Sequence, residues 1–244
     1  MVFVIGSPRS GTTFLAAAIG RCPGFVDLGE IHALKAAIPE LQKLEIEAAT
    51  RRVRGLLVVA RRLSLVSGLR AVEQTPETGF VARAVQGAMP EGRFVHIVRD
   101  GRDVVCSLLE QGWLSAGRGG ADDAGLAYGS HRRFWVEPDR HAEFERSSDA
   151  KRAAWAWRRY VEAARSADDV LELRYERLAA DPRATAEELS VAIDTPPAPL
   201  AAALENAYAS SVGRFRRDLT PDELHEVEGE AGHLLRELGY LQQN

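Results

Sequence analysis

The chain has 244 residues, 45% hydrophobic and 27% charged, with 31 Lys and Arg against 35 Asp and Glu for a formal net charge of −4. That balance suits one buried core in a single domain and argues against disorder or a whole-molecule nucleic-acid footprint, so no nucleic-acid partner is expected. Cys22 and Cys106 are too few for a disulfide framework and have no metal-ligand spacing, and no apolar run approaches the length of a membrane span or a leader, so a cytoplasmic protein without metal or span is expected.

In chain order, Val2–Ile5 predicts a strand, 12–19 a helix, 25–28 a short strand and 31–66 amphipathic helical sequence. A strand at 71–73, a helix at 77–88, a strand at 94–98 and a helix at 102–110 follow. Residues 112–148 break the pattern with Gly117 to Gly120, Asp122-Asp123 and His131 to Trp135, and are expected to form an irregular insert or flap. Beyond it the spacing predicts a helix at 150–167, a strand at 170–175 and helices at Pro182–Ile193, 199–208 and 220–238, with Thr195 to Pro199 as a stiff connector. Buried strands alternating with helices give an α/β class: a three-layer fold with a central, mostly parallel sheet flanked by helices, in one domain over 1–244.

The first motif follows the first strand. Gly6-Ser7-Pro8-Arg9-Ser10-Gly11-Thr12-Thr13 matches a nucleotide-hydrolysing phosphate loop at Gly6, Gly11 and Thr13, but Thr12 stands where that loop has lysine. A strand running through a glycine turn into a helix aims unpaired N–H groups and the positive end of the dipole at one point. Arg9 adds a planar, permanently charged fork, and Ser10, Thr12 and Thr13 add hydroxyls. The loop is read as an anion site, one poorly suited to the magnesium-bound end of ATP.

A second constellation runs from Arg93 to Leu109, where a strand ends at Arg99, a turn follows and a helix carries Ser107. Ligands of open parallel sheets bind beyond the carboxyl ends of the strands, which puts Arg99 and the phosphate loop at one crevice. The bland alternative is a solvated salt-bridge turn of Arg99, Asp100, Arg102 and Asp103.

Together these segments resemble the sulfotransferases that use 3'-phosphoadenosine 5'-phosphosulfate (PAPS), including bacterial enzymes related to the tyrosylprotein sulfotransferases. The resemblance implies a P-loop-type fold and PAPS as co-substrate, with 3'-phosphoadenosine 5'-phosphate (PAP) as product and no metal required. It implies that Arg9, Ser10, Gly11, Thr12 and Thr13 hold the 5'-phosphosulfate and that Arg99 and Ser107 hold the 3'-phosphate. It extends to Leu171 to Leu178, where Tyr175 would lie near the nucleotide, and to Ser210 to Arg217, where Ser211 and Arg214 would belong to a nucleotide-covering loop.

Transfer of a sulfuryl group needs a base for the acceptor hydroxyl and a cation for the leaving phosphate. Glu30, in Leu28-Gly29-Glu30-Ile31-His32, resembles the family's catalytic glutamate; His32 is the rival base, and Arg9 the candidate charge clamp. One position departs from the pattern: a lysine common among relatives corresponds to Gln74 in Glu73-Gln74-Thr75-Pro76. Trp113, Phe134 and Trp135 are candidates to line an acceptor pocket, whereas Trp155 and Trp157 read as core or rim residues. The expected acceptor is a hydroxyl on a small molecule, glycoside or lipid, and oligomeric state is not read from the sequence. A small-molecule P-loop kinase and a non-catalytic nucleotide-binding module are the alternatives.

Overall fold

The computed structural model describes residues 1–115 and 133–242. The short apolar runs resolve into five parallel strands: β1 (Val2–Ile5), β2 (Phe25–Asp27), β3 (Arg70–Glu73), β4 (Arg93–Val98) and β5 (Val170–Arg174). Their order across the sheet is β2-β3-β1-β4-β5. Phe3 pairs with Glu73 on one side of β1, and Ile5 with His96 on the other; in the outer pair Val98 meets Arg174.

The period-two alternation of side chains divides β1 between two cores. Val2 and Val4 face Leu15, Ile19, Leu189 and Leu200 from the helices Thr12–Gly20, Pro182–Ile193 and Pro197–Leu204. Phe3 and Ile5 face Leu34, Ile38, Val53 and Val85 from helices on the opposite side, and the Phe3 ring stacks on Phe94 at a centroid distance of 4.8 Å. A third cluster on that side packs Gly101–Gln111, Asp149–Arg165 and Pro221–Glu237 against Val98. Helices thus cover both faces of the sheet. Among the described residues, no helix is long and apolar enough to cross a membrane.

Several expected boundaries shift for physical reasons. The helical sequence over 31–66 is two helices, His32–Leu41 and Ile46–Ser67. The first helix runs past Pro39 and ends where the chain tightens into three-residue turns, Lys43 N donating to Glu40 O and Leu44 N to Leu41 O, each at 3.2 Å. The stretch expected as one helix over 77–88 begins as a 3₁₀ turn, Pro76–Val81, before Ala82–Ala88. The expected stiff connector is shorter, because Pro197, at the start of the helix Pro197–Leu204, uses a ring already set for the first helical turn.

The irregular reading of 112–148 is corrected over its second half. Pro138–Arg140 is a 3₁₀ turn and His141–Arg146 a helix, while Trp135, Val136 and Phe144 are buried with Trp155 and Tyr160. The glycine, aspartate and histidine-arginine positions from Gly117 through Arg132 lie outside the described residues.

Candidate active site

All five strands point their carboxyl ends to one edge, so the segments that follow them share a crevice. The phosphate loop leaves β1 between the segments from β2 and β3 and those from β4 and β5. Its two glycines are demanded by close approach. Gly6 has φ 150° and a Cβ there would stand 2.5 Å from Ile97 O; Gly11 has φ 102° and its Cβ would stand 2.7 Å from the Tyr175 ring. Only glycine accepts both the conformation and the contact.

Between them Arg9 is held at φ 69°, a left-handed conformation that costs free energy for any residue with a Cβ and that clusters at functional sites. Its backbone turn is closed by Ser10 N donating to Ser7 O at 3.1 Å. The helix Thr12–Gly20 then starts at Gly11 without a side-chain cap, so its first N–H groups keep their full affinity for an anion. Ser10 Oγ is buried and has no protein hydrogen-bond partner.

Arg9 and Ser107 meet directly: Arg9 Nε donates to Ser107 Oγ at 2.9 Å, and the guanidinium lies 5.5 Å from the centre of the Trp113 ring. Sequence reasoning grouped Ser107 with Arg99; the structure ties its hydroxyl to Arg9. Arg99 is buried with only 6% of its surface exposed. It stacks 4.9 Å from the Tyr175 ring centre, donates to Arg9 O at 3.5 Å and to Ser211 O, and lies 3.9 Å from Asp103. The alternative of a solvated salt-bridge turn is met in its pairs and not in its solvation: Arg102 forms a bidentate pair with Asp100 and Arg99 pairs with Asp103, but all four residues are buried, and Arg99 also turns to the loop.

Arg99 Nε is a second buried donor without a protein partner. Orphaned donors of this kind are costly unless a ligand takes them up. Ser10 Oγ and Arg99 Nε are therefore two donors, on adjoining segments, that suit the oxygens of an anion.

The segment 211–215 closes over Arg99 through a carboxylate that sequence reasoning missed. Asp103, fully buried, accepts from Gly213 N at 2.7 Å and Phe215 N at 3.0 Å. Burial pushes its carboxyl above the usual range while these two donors pull it back. Ser211 reaches the site through its carbonyl. Arg214 does not turn inward: it pairs with Asp218 at 2.6 Å and with Glu110 at 3.1 Å, and these carboxylates raise its pKa. Tyr175 is buried beneath Gly11 and donates its hydroxyl to Tyr208 O at 3.3 Å.

On the other side of β1 stands the candidate base. A cleft of about 160 Å³ is lined by Pro8, Arg9, Thr12, Thr13, Glu30, Gln74, Pro76 and Trp113. Glu30 and Arg9 thus face one volume. Gln74 touches the phosphate loop, accepting from Thr13 Oγ1 at 3.2 Å. His32, exposed at the start of its helix, is absent from the cleft wall.

Of the three aromatic candidates only Trp113 lines this cleft; Trp135 is buried among Phe144 and Tyr160, and Phe134 packs edge-on against Phe80. Trp157 is core, and its indole Nε1 donates to Arg99 O at 3.0 Å, fixing the turn that aims Arg99.

Behind the cleft lies a polar group that sequence reasoning also missed. Lys35 is fully buried and its ammonium stands 2.8 Å from Glu30 Oε2 and 3.6 Å from Glu77 Oε2. Glu73, also fully buried, accepts from Thr75 N at 2.7 Å. Desolvation dominates there and pushes its carboxyl up to about 8 against the pull of its hydrogen bonds. A lysine bordering the apolar stripe Leu34, Ile38, Leu41 is the signal that could have revealed this cluster.

A model of the sulfotransferase family matches residues 60–199, more than half of the chain. No curated protein matches. Among solved structures, the sulfotransferase domain of the curacin biosynthetic pathway is 14% identical with a TM-score of 0.63, over 100% of this chain and 98% of that one. The sulfotransferase domain of the Synechococcus olefin synthase is 16% identical with a TM-score of 0.55, covering 95% and 94%. A sulfotransferase from Alicyclobacillus acidocaldarius is 14% identical with a TM-score of 0.55, covering 98% and 94%. At such identities the likeness speaks for the fold.

Proposed function

The chain belongs to the sulfotransferase family, and from that premise we propose that it moves a sulfuryl group from PAPS to a hydroxyl on a small-molecule, glycoside or lipid acceptor. The observation that carries this reading is the pair of arginines, Arg9 and Arg99, converging on a phosphate loop with threonine at the lysine position, while Glu30 faces Arg9 across the cleft. The phosphate loop lies outside the matched residues 60–199, so its role rests on geometry.

On this reading the N–H groups of the loop, Ser10 Oγ and Arg9 hold the phosphosulfate, and Arg99 holds the 3'-phosphate at the other end. The acceptor oxygen attacks sulfur in line, a new sulfur–oxygen bond forms, and the bond from sulfur to the phosphate oxygen breaks. The acceptor proton passes to the Glu30 carboxylate, and PAP leaves carrying the electron pair of the broken bond. Charge growing on that phosphate is met by Arg9, whose planar fork is already fixed by Ser107. Glu30 is assigned ahead of His32 because it lines the cleft that Arg9 shares.

Calorimetry with PAP and with ATP-magnesium tests the donor: PAP binding without ATP-magnesium binding is expected, and the reverse would sink the proposal. A metabolite screen with radiolabelled PAPS then identifies the acceptor by the compound that takes up label. Glu30→Gln is expected to bind PAP and lose transfer.

A further inference from the structure

Glu30 stands in residues 28–31, which belong to neither helix nor strand. A base in such a segment works only if something fixes its carboxylate, since small displacements of reacting groups are costly. The backbone is pinned at two points: Gln74 N donates to Gly29 O at 3.2 Å, and Ile31 N to Thr75 Oγ1 at 3.1 Å. The side chain is held from within the protein. Lys35 N donates to Ile31 O at 2.9 Å as the helix begins, and its ammonium returns to Glu30 Oε2 at 2.8 Å.

A fully buried ammonium is tolerated only beside carboxylates, so its place is set by where they stand. Besides Glu30 it approaches Glu77 at 3.6 Å, and Glu77 Oε1 accepts from Tyr160 Oη at 3.0 Å. The Tyr160 ring is locked edge-on against Phe80 at 5.0 Å. A continuous run of contacts therefore leads from the aromatic core through Tyr160, Glu77 and Lys35 to the cleft carboxylate. Glu73 beneath the same segment is held mainly as the neutral acid at neutral pH.

Resting on the assignment of Glu30 as base, we propose that Lys35 is its positioning residue: the buried ammonium anchors the Glu30 carboxylate at the cleft wall and ties it to the helix Asp149–Arg165 through Glu77 and Tyr160. Lys35 itself touches neither donor nor acceptor.

The test uses PAPS with water as the acceptor, so that it does not depend on the natural one, and follows radiolabelled sulfate release. Lys35→Met is made in the native and Glu30→Gln backgrounds, with PAP affinity measured by calorimetry. We expect Lys35→Met to lower kcat about tenfold or more while KM for PAPS and PAP affinity stay within about twofold, and to add nothing in the Glu30→Gln background. Lys35→Arg should recover part of the rate.

Should Lys35→Met fail to fold, Tyr160→Phe trims only the far hydroxyl and should give a smaller loss of kcat that also vanishes beside Glu30→Gln. An equal factor in both backgrounds would overturn the proposal, and so would a tenfold loss of PAP affinity, by the scale of a direct donor contact. If Glu30→Gln binds PAP and keeps the full rate, the base assignment fails instead.

Discussion

Replacing Glu73 by glutamine removes one titrating group from the floor of the site while keeping its shape. The carboxyl is fully buried at the end of β3, accepting from Thr75 N at 2.7 Å, and burial lifts it from its ordinary 4.5 to about 8. Below 4.5 folded and unfolded chains both hold the proton, and the acid carries no penalty. Between 4.5 and about 8 the unfolded chain has released the proton and the folded one retains it, so stability falls as pH rises through this window and levels off above it. At about 1.4 kcal/mol per unit the loss accumulates to a few kcal/mol. Glutamine can accept from Thr75 N and face Thr78 with its amide, so Glu73→Gln should match the native protein near the acid end and exceed its stability above neutrality. Urea unfolding of both proteins at several pH values reads the difference directly. A difference that stays constant from acid to alkaline pH would refute the assignment of Glu73 as a buried neutral acid.

Three further outcomes are expected. Gly11→Ala should lose about 2–4 kcal/mol in urea unfolding, because a left-handed alanine is strained and its methyl would press on the Tyr175 ring at 2.7 Å; PAP affinity should fall with it. Asp103→Ala strands the N–H groups of Gly213 and Phe215 and should cost about 2–4 kcal/mol, with faster amide exchange at those two residues and weaker PAP binding by calorimetry. Burial pushes the Cys106 thiol up to about 12, so iodoacetamide at mildly alkaline pH should alkylate it only after denaturation.

The strands and the glycine-bounded turn after β1 were legible because β-branched runs and glycine punctuation are local signals. Val2–Ile5 falls at its expected place, and β4 and β5 agree to within a residue at either end. Pro197 was misread because proline marks both a stiff connector and a first helical turn, and only the packing of Leu200 and Leu204 decides between them. The burial of Trp135 and Phe144 was illegible in a stretch without periodicity, since it depends on partners from the helix Asp149–Arg165. In the site, Arg9 and Glu30 could be picked out from their places after strands. The place of Lys35 beside the apolar stripe hinted at burial, but its pairing with Glu77, far along the chain, was not readable from local spacing. The Arg9–Ser107 bond was hidden for the same reason, as it spans 98 positions.

The central place of β1 has a consequence for how such a protein can change. Its loop divides the crevice into two workshops: the ends of β2 and β3 supply Glu30 and Gln74, and the ends of β4 and β5 supply Arg99 and Tyr175. On the proposed reading, proton handling and anion handling are therefore tuned by different stretches of chain. Mutations that retailor the acceptor side need not disturb the arginines across the sheet, so a lineage could try new hydroxyl compounds while its grip on the donor stays intact.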